Sequence, residues 1–198
     1  MAIITSIIPR QNFELIGENI GAILKLELEN QKTLQNFADP VNVFSERLDA
    51  FDKAEEIMIN VFFDSFNSFD NTQKSSQGNV SFFIDIYSTG KSSAIGDGGL
   101  ASASRLHKFL GMCRYILSDS RYRTLGFAPG AIGGVYVDSI QIANIEQLDA
   151  SYDTMGRISF SVKLREDGIL ETGELMTSHL TGVKLDITDK GYKYEIIN

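Results

Sequence analysis

A chain of 198 residues provides one domain, or one domain with a small appendage, and can bury roughly 70% of its unfolded surface without help from a metal or a disulfide. An apolar fraction of 43% and a charged fraction of 22% exclude disorder of the whole chain. The 26 acidic residues outweigh 18 basic ones, a net charge of −8. A protein that grips phosphates needs the opposite balance, so direct binding to nucleic acid or to an anionic membrane is not the expected role.

Cys113 is the single cysteine, which excludes an intramolecular disulfide and fits folding in a reducing compartment. Residues 1–8 are apolar but too short to cross a bilayer, and no basic residue precedes them. They read as an early strand or an arm. Neither a signal peptide nor a membrane helix is expected.

Residues 10–34 read as the first helix. Phe13, Ile16, Ile20, Ile23, Leu24 and Leu28 follow three-and-four spacing, Glu14, Glu18, Lys25 and Glu29 fall between them, and Pro9 precedes the run where its missing N–H costs least. Asp39–Pro40 marks a break before a short alternating strand, 41–46. A charged connection, 47–56, leads to a strand with Ile57, Ile59, Val61 and Phe63 on one face. A third strand, 80–87, sets Phe82, Ile84 and Ile86 opposite Phe83, Asp85 and Tyr87.

The polar segment 64–79 between those strands reads as a long hairpin loop, with Phe66 and Phe69 available to land on a partner. A Gly/Ser-rich connection, 88–99, enters a helix from Leu100 to about Ser118, striped by Leu106, Phe109, Leu110, Cys113 and Leu117. Turns over 121–134 are followed by strands at 135–145 and 157–164. The latter alternates so cleanly (Ile158, Phe160, Val162, Leu164 against Arg157, Ser159, Ser161, Lys163) that it predicts one buried and one wet face. Beyond Arg165 short β-like runs punctuated by Thr–Gly and Lys–Gly predict a C-terminal β extension. The expected fold is α+β: a mainly antiparallel sheet packed against two helices, with residues 1–166 as the domain and 167–198 as the extension.

Motifs that would carry chemistry fail on spacing. Thr89-Gly-Lys-Ser92 ends like a phosphate-binding loop, yet Asp85 stands where that loop needs its first glycine, so a turn is the better reading. Gly96-Asp-Gly-Gly-Leu-Ala101 matches a loose dinucleotide fingerprint, but about eight residues part it from the preceding strand, where the fold requires a tight turn. His107 and Cys113 fall on different faces of a helix and make poor joint ligands; His179 has no cysteine or carboxylate cluster nearby. Cys113 itself sits on the apolar stripe and reads as core. Glu46, Asp49, Asp52, Glu55 and Glu56 alternate with Arg47 and Lys53, which predicts a solvated or interfacial ion-pair cluster rather than an acid–base pair. No catalytic residue, metal site or cofactor is expected.

The order of these pieces resembles a family. An amphipathic helix leads into Val41-Asn-Val-Phe-Ser-Glu-Arg-Leu-Asp-Ala-Phe-Asp-Lys-Ala-Glu-Glu-Ile-Met-Ile-Asn-Val61. There follow the strand Phe82-Phe-Ile-Asp-Ile-Tyr87, a Gly–Asp loop, a helix ending Arg114-Tyr-Ile-Leu117, then Thr124-Leu-Gly-Phe-Ala-Pro-Gly130 and two antiparallel strands. Over about residues 10–166 this resembles the tail terminator (tail completion) proteins of long-tailed bacteriophages, by order and texture; the extension past Arg165 departs from the pattern.

The resemblance implies a homo-oligomeric ring, usually a hexamer, on the head-proximal end of the tail tube. It would end tube polymerisation and join the tail to the head–tail connector of the neck. Partners implied are further copies of the chain, the tube protein, the connector and, where the tail is contractile, the sheath protein. DNA would pass through without specific binding, and the location would be the virion, after synthesis in the bacterial cytoplasm. Under that reading Glu46, Arg47, Asp52, Lys53, Phe66, Phe69, Arg105, Arg121 and Arg123 are the expected interface residues, although the arginines (Arg114 among them) read equally well as ordinary surface residues. Another neck component, a monomeric ligand-binding module and an enzyme of unfamiliar type are the alternatives.

Overall fold

The computed structural model describes residue 5 and residues 7–47, 57–71, 75–91, 98–144, 151–167, 178–183 and 192–197. In chain order these form α1 (Asn12–Gln35), β1 (Asn42–Ser45), β2 (Ile57–Asn71), β3 (Ser75–Lys91), α2 (Gly98–Ser118), a 3-10 turn (Ser120–Tyr122), β4 (Ile132–Asn144), β5 (Ser151–Asp167), β6 (Ser178–Val183) and β7 (Tyr192–Ile197). The fold is α+β, with a five-stranded sheet in the order β1-β2-β3-β5-β4 and both helices packed on it. Only β1 runs parallel, to β2; every other pairing is antiparallel. β6 and β7 form a separate two-stranded sheet.

The predicted helical stripe is the stripe that is buried. Ile16, Ile20, Leu24 and Leu28 of α1 are fully covered, as are Leu106, Phe109 and Cys113 of α2. They meet Ile57, Ile59 and Val61 of β2, Phe82, Ile84 and Ile86 of β3, and Ile158, Phe160 and Val162 of β5. Each such side chain contributes about 1.5–3 kcal/mol on burial, which makes this layer the main source of stability. Gly17 and Gly21, one turn apart, let α1 lie close: a Cβ on Gly17 would stand 3.2 Å from the Phe82 ring, and one on Gly21 only 2.6 Å from Ser45 Oγ. α1 ends at Asn36 in the left-handed conformation (φ 49°), a common helix stop.

Two expectations change. The segment 64–79 is not a long loop: β2 runs on to Asn71, β3 begins at Ser75, and the two stay paired from Ser65↔Ser81 to Asn71↔Ser76. β3 also pairs with β5 as far as Ser75↔Asp167, so a polar sequence of weak strand propensity is held in strand form from both sides. Thr89-Gly-Lys91, read as a turn, is the end of β3 and pairs with residues 151–153 of β5. Ser92 and the glycine loop up to Asp97 lie outside the described residues.

Candidate functional site

Where the expected interface residues fall decides which surfaces remain available. Glu46, in the left-handed region (φ 56°), accepts a hydrogen bond at Oε1 from the Phe63 amide at 2.6 Å. The Arg47 amide donates to Asn60 Oδ1 at 3.1 Å, the Asn60 amide donates back to the Arg47 carbonyl at 2.7 Å, and the guanidinium lies 4.4 Å from the Phe44 ring centre. Both residues therefore tie the end of β1 to β2. Asp52 and Lys53, with Asp49, Glu55 and Glu56, lie outside the described residues.

Phe66 is half-buried within its own chain. Its ring stacks on Phe13 at 6.4 Å between centres, and Phe13 in turn meets Phe63 at 5.5 Å. Phe69 belongs to β2, but its side chain is outside the described residues. Arg105 pairs with Asp39 at 3.0 Å and donates to the Thr89 carbonyl at 3.1 Å, joining α2 to the end of β3 and the entry to β1. Arg121 forks onto Asp119 with two bonds of 3.0 Å, which raises its own pKa and lowers that of Asp119. Arg123 and Arg114 are exposed, with no carboxylate partner among the described residues.

The sheet face away from the helices is less wet than its alternation predicts. Asp85 has a side chain only 2% exposed and receives both Arg157 Nε (2.6 Å) and a terminal nitrogen (2.7 Å). The same guanidinium lies 4.4 Å from the Phe83 ring centre. The hydrogen bond to Asp85 raises the Arg157 pKa, against the opposing effect of burial. Asn60, Asp85, Arg157 and Gln141 stand in register across four strands as one polar row. Sequence reasoning missed this pair. The available signal was a lone acid and a lone base, each on a polar face of its strand; their register was not readable.

Two further features could receive a partner or ligand. A cleft of about 390 Å3 lies between the helices, lined by Gln31, Lys108, Met112, Tyr115 and Arg121, with Glu27 at its base. The Tyr122 hydroxyl donates to the Glu27 carboxylate, an interaction that raises the tyrosine pKa. The second is the β4 edge of the sheet, where Tyr136, Ile140 and Ile142 are all substantially exposed. His107 is exposed on α2, and Cys113 is fully buried with its thiol pushed up to about 12 by burial. Among the described residues no group of three His, Cys, Asp or Glu could hold a metal ion, and no helix is long and apolar enough to cross a membrane. Compared with known proteins, the sequence matches no family model and no curated protein.

Proposed function

We propose that the protein is a structural component of a bacteriophage tail: a ring, hexameric by analogy, that caps the head-proximal end of the tube and carries the connector. The reading rests on the resemblance of residues 10–166 to tail terminators. The observation that favours it most is the division of labour across the chain. Several charged and hydroxyl-bearing side chains are spent on internal ties (Asp85 with Arg157, Glu27 with Tyr122, Arg105 with Asp39), while the β4 edge and its exposed apolar side chains remain to be covered. A surface arranged in this way suits adhesion between subunits better than turnover of a substrate.

In this role the protein acts by position and makes or breaks no bond. The net charge of −8 per subunit keeps a ring from gripping the DNA that threads it. The cleft between the helices supports the runner-up, a monomeric ligand-binding module. Native mass spectrometry and sedimentation of the purified chain, alone and with tube protein, separate the two. Rings, or rings that form on tube ends and stop their growth, are expected. A strictly monomeric chain that leaves tube growth unchanged would refute the proposal.

A further inference from the structure

We infer that the C-terminal hairpin of one copy adds to the β4 edge of the next, extending the five-stranded sheet across the subunit boundary. The inference deepens the ring reading and rests on it for the number of copies.

Two incomplete pieces of the same molecule carry the argument. One is β4, thirteen residues paired, among the described residues, on one side only, with β5. Its irregularities fall between Ile132 and Gly134 and between Val137 and Ser139, leaving Ser139–Asn144 as an unbroken run of six residues. Within it Ile140 and Ile142 pair with Ile158 and Gly156, so they share the sheet face that the helices cover elsewhere, yet they are 40% and 51% exposed. Natural sheets blunt such an edge with lysine, proline or a bulge; this stretch has none of the three.

The other piece is the hairpin β6–β7, six residues in each strand and, among the described residues, bonded to no third strand. An isolated two-stranded hairpin is marginal in water and gains stability from a third strand or a packing surface. Its register places Val183, Thr181 and His179 against Tyr192, Tyr194 and Ile196, an alternating Tyr–Tyr–Ile series in the sequence of β7. Aromatic and β-branched cross-strand neighbours are the pairs that stabilise sheets most, and Ile140 and Ile142 are matching neighbours for that series. The lengths also match, six residues to six. Because the donated hairpin and the receiving edge are different surfaces, the contact is heterologous, and repeated with closure it makes a ring.

Single substitutions Ile142→Cys and Tyr194→Cys test this directly, since the native Cys113 thiol is fully buried and stays silent. Each variant is purified as the full chain, the two are mixed, and a short bifunctional maleimide is added. The expected product is a band at twice the monomer mass from the mixture only, and a ladder from the double variant. Native rings without that cross-link, or a double variant that links only within one chain, would overturn the inference and leave the ring reading intact. A chain that forms no rings and ignores tube protein removes the ring reading; dimers that give the mixed cross-link then still support the edge pairing, and a chain that is monomeric without it overturns both. As a second measurement, the Ile140→Lys, Ile142→Lys double variant should keep its melting temperature and lose assembly at least tenfold. Unimpaired assembly there counts against the inference.

Discussion

The two faces of the central sheet are made from the same strands and hold together by different means. On the helix side, Phe82, Ile84, Ile86, Ile158, Phe160 and Val162 are nearly or fully dry and close on α1 and α2. On the other side Asp85 is equally covered, but what it meets is Arg157, whose guanidinium lies over the Phe83 ring. The first face is held by burial alone, which tolerates small changes of shape. The second depends on a charge finding its one counter-charge, which tolerates neither partner being lost. Removing bulk should therefore hurt the first face in proportion to volume, and removing charge should hurt the second in an all-or-nothing way.

Phe82→Ala is the most damaging single change expected, at about 3–5 kcal/mol in urea unfolding, because the ring fills space against Gly17 and Phe63 that neither α1 nor β2 can close. A loss under about 1 kcal/mol would mean the helix layer relaxes freely, against the dense packing of this core. Arg157→Met comes next, at about 2–3 kcal/mol. That is below the 3–5 kcal/mol of a fully enclosed pair, since the guanidinium is 40% exposed and water can reach part of the vacancy. Adding Asp85→Leu to it should restore most of the loss. If the double variant is as unstable as the single one, the contrast between the faces fails.

Gly21→Ala should cost about 1 kcal/mol, the crowding against Ser45 Oγ outweighing the gain in helix propensity. Paired with Ser45→Ala the sign should reverse, as read by thermal melts. The smallest effect is electrostatic and lies on the surface. Glu18 and Asp119 have pKa values lowered by Arg10 and Arg121, so their stabilisation is complete above the ordinary values of 4.5 and 3.8. It fades as pH falls through their lower folded values. The Arg10→Gln, Arg121→Gln variant should melt slightly below the native chain at pH 7 and show a shallower fall in melting temperature below pH 4.5, so that the two converge in acid.

The contrast also explains what could be read in advance. Three-and-four spacing from Ile16 to Leu28 and from Leu106 to Leu117 identified both helices, and strict alternation from Ile158 to Leu164 identified the dry face of β5. These are local signals tied to burial, and burial is what periodicity encodes. The hairpin beyond Asp64 was hidden because Ser, Asn, Asp and Gln in that stretch carry no strand preference of their own; the β3 arm is held by pairing with β5, distant in the chain, and the β2 arm by pairing with β3. Asp85 and Arg157 were hidden for the related reason that a register shift of one residue would have put them on opposite faces. Of the proposed assembly surfaces, the alternation of Ile140 and Ile142 was visible, but that β4 is an edge strand follows only from the sheet order.

That order has a consequence for the ribosome. β5 lies between β3 and β4, yet it is made after both, so an interior strand of the finished sheet emerges last among its neighbours. Until residues 151–167 leave the exit tunnel, β3 shows one unpaired backbone edge, and β4 has not yet met its β5 partner. Local contacts can shelter the nascent chain meanwhile, with α1 on β2 and α2 against β3. Closure of the sheet is thus a late, long-range event, slow in the way that distant strand pairings are slow. The hazard during synthesis is premature pairing of the waiting β3 edge with another unfinished copy.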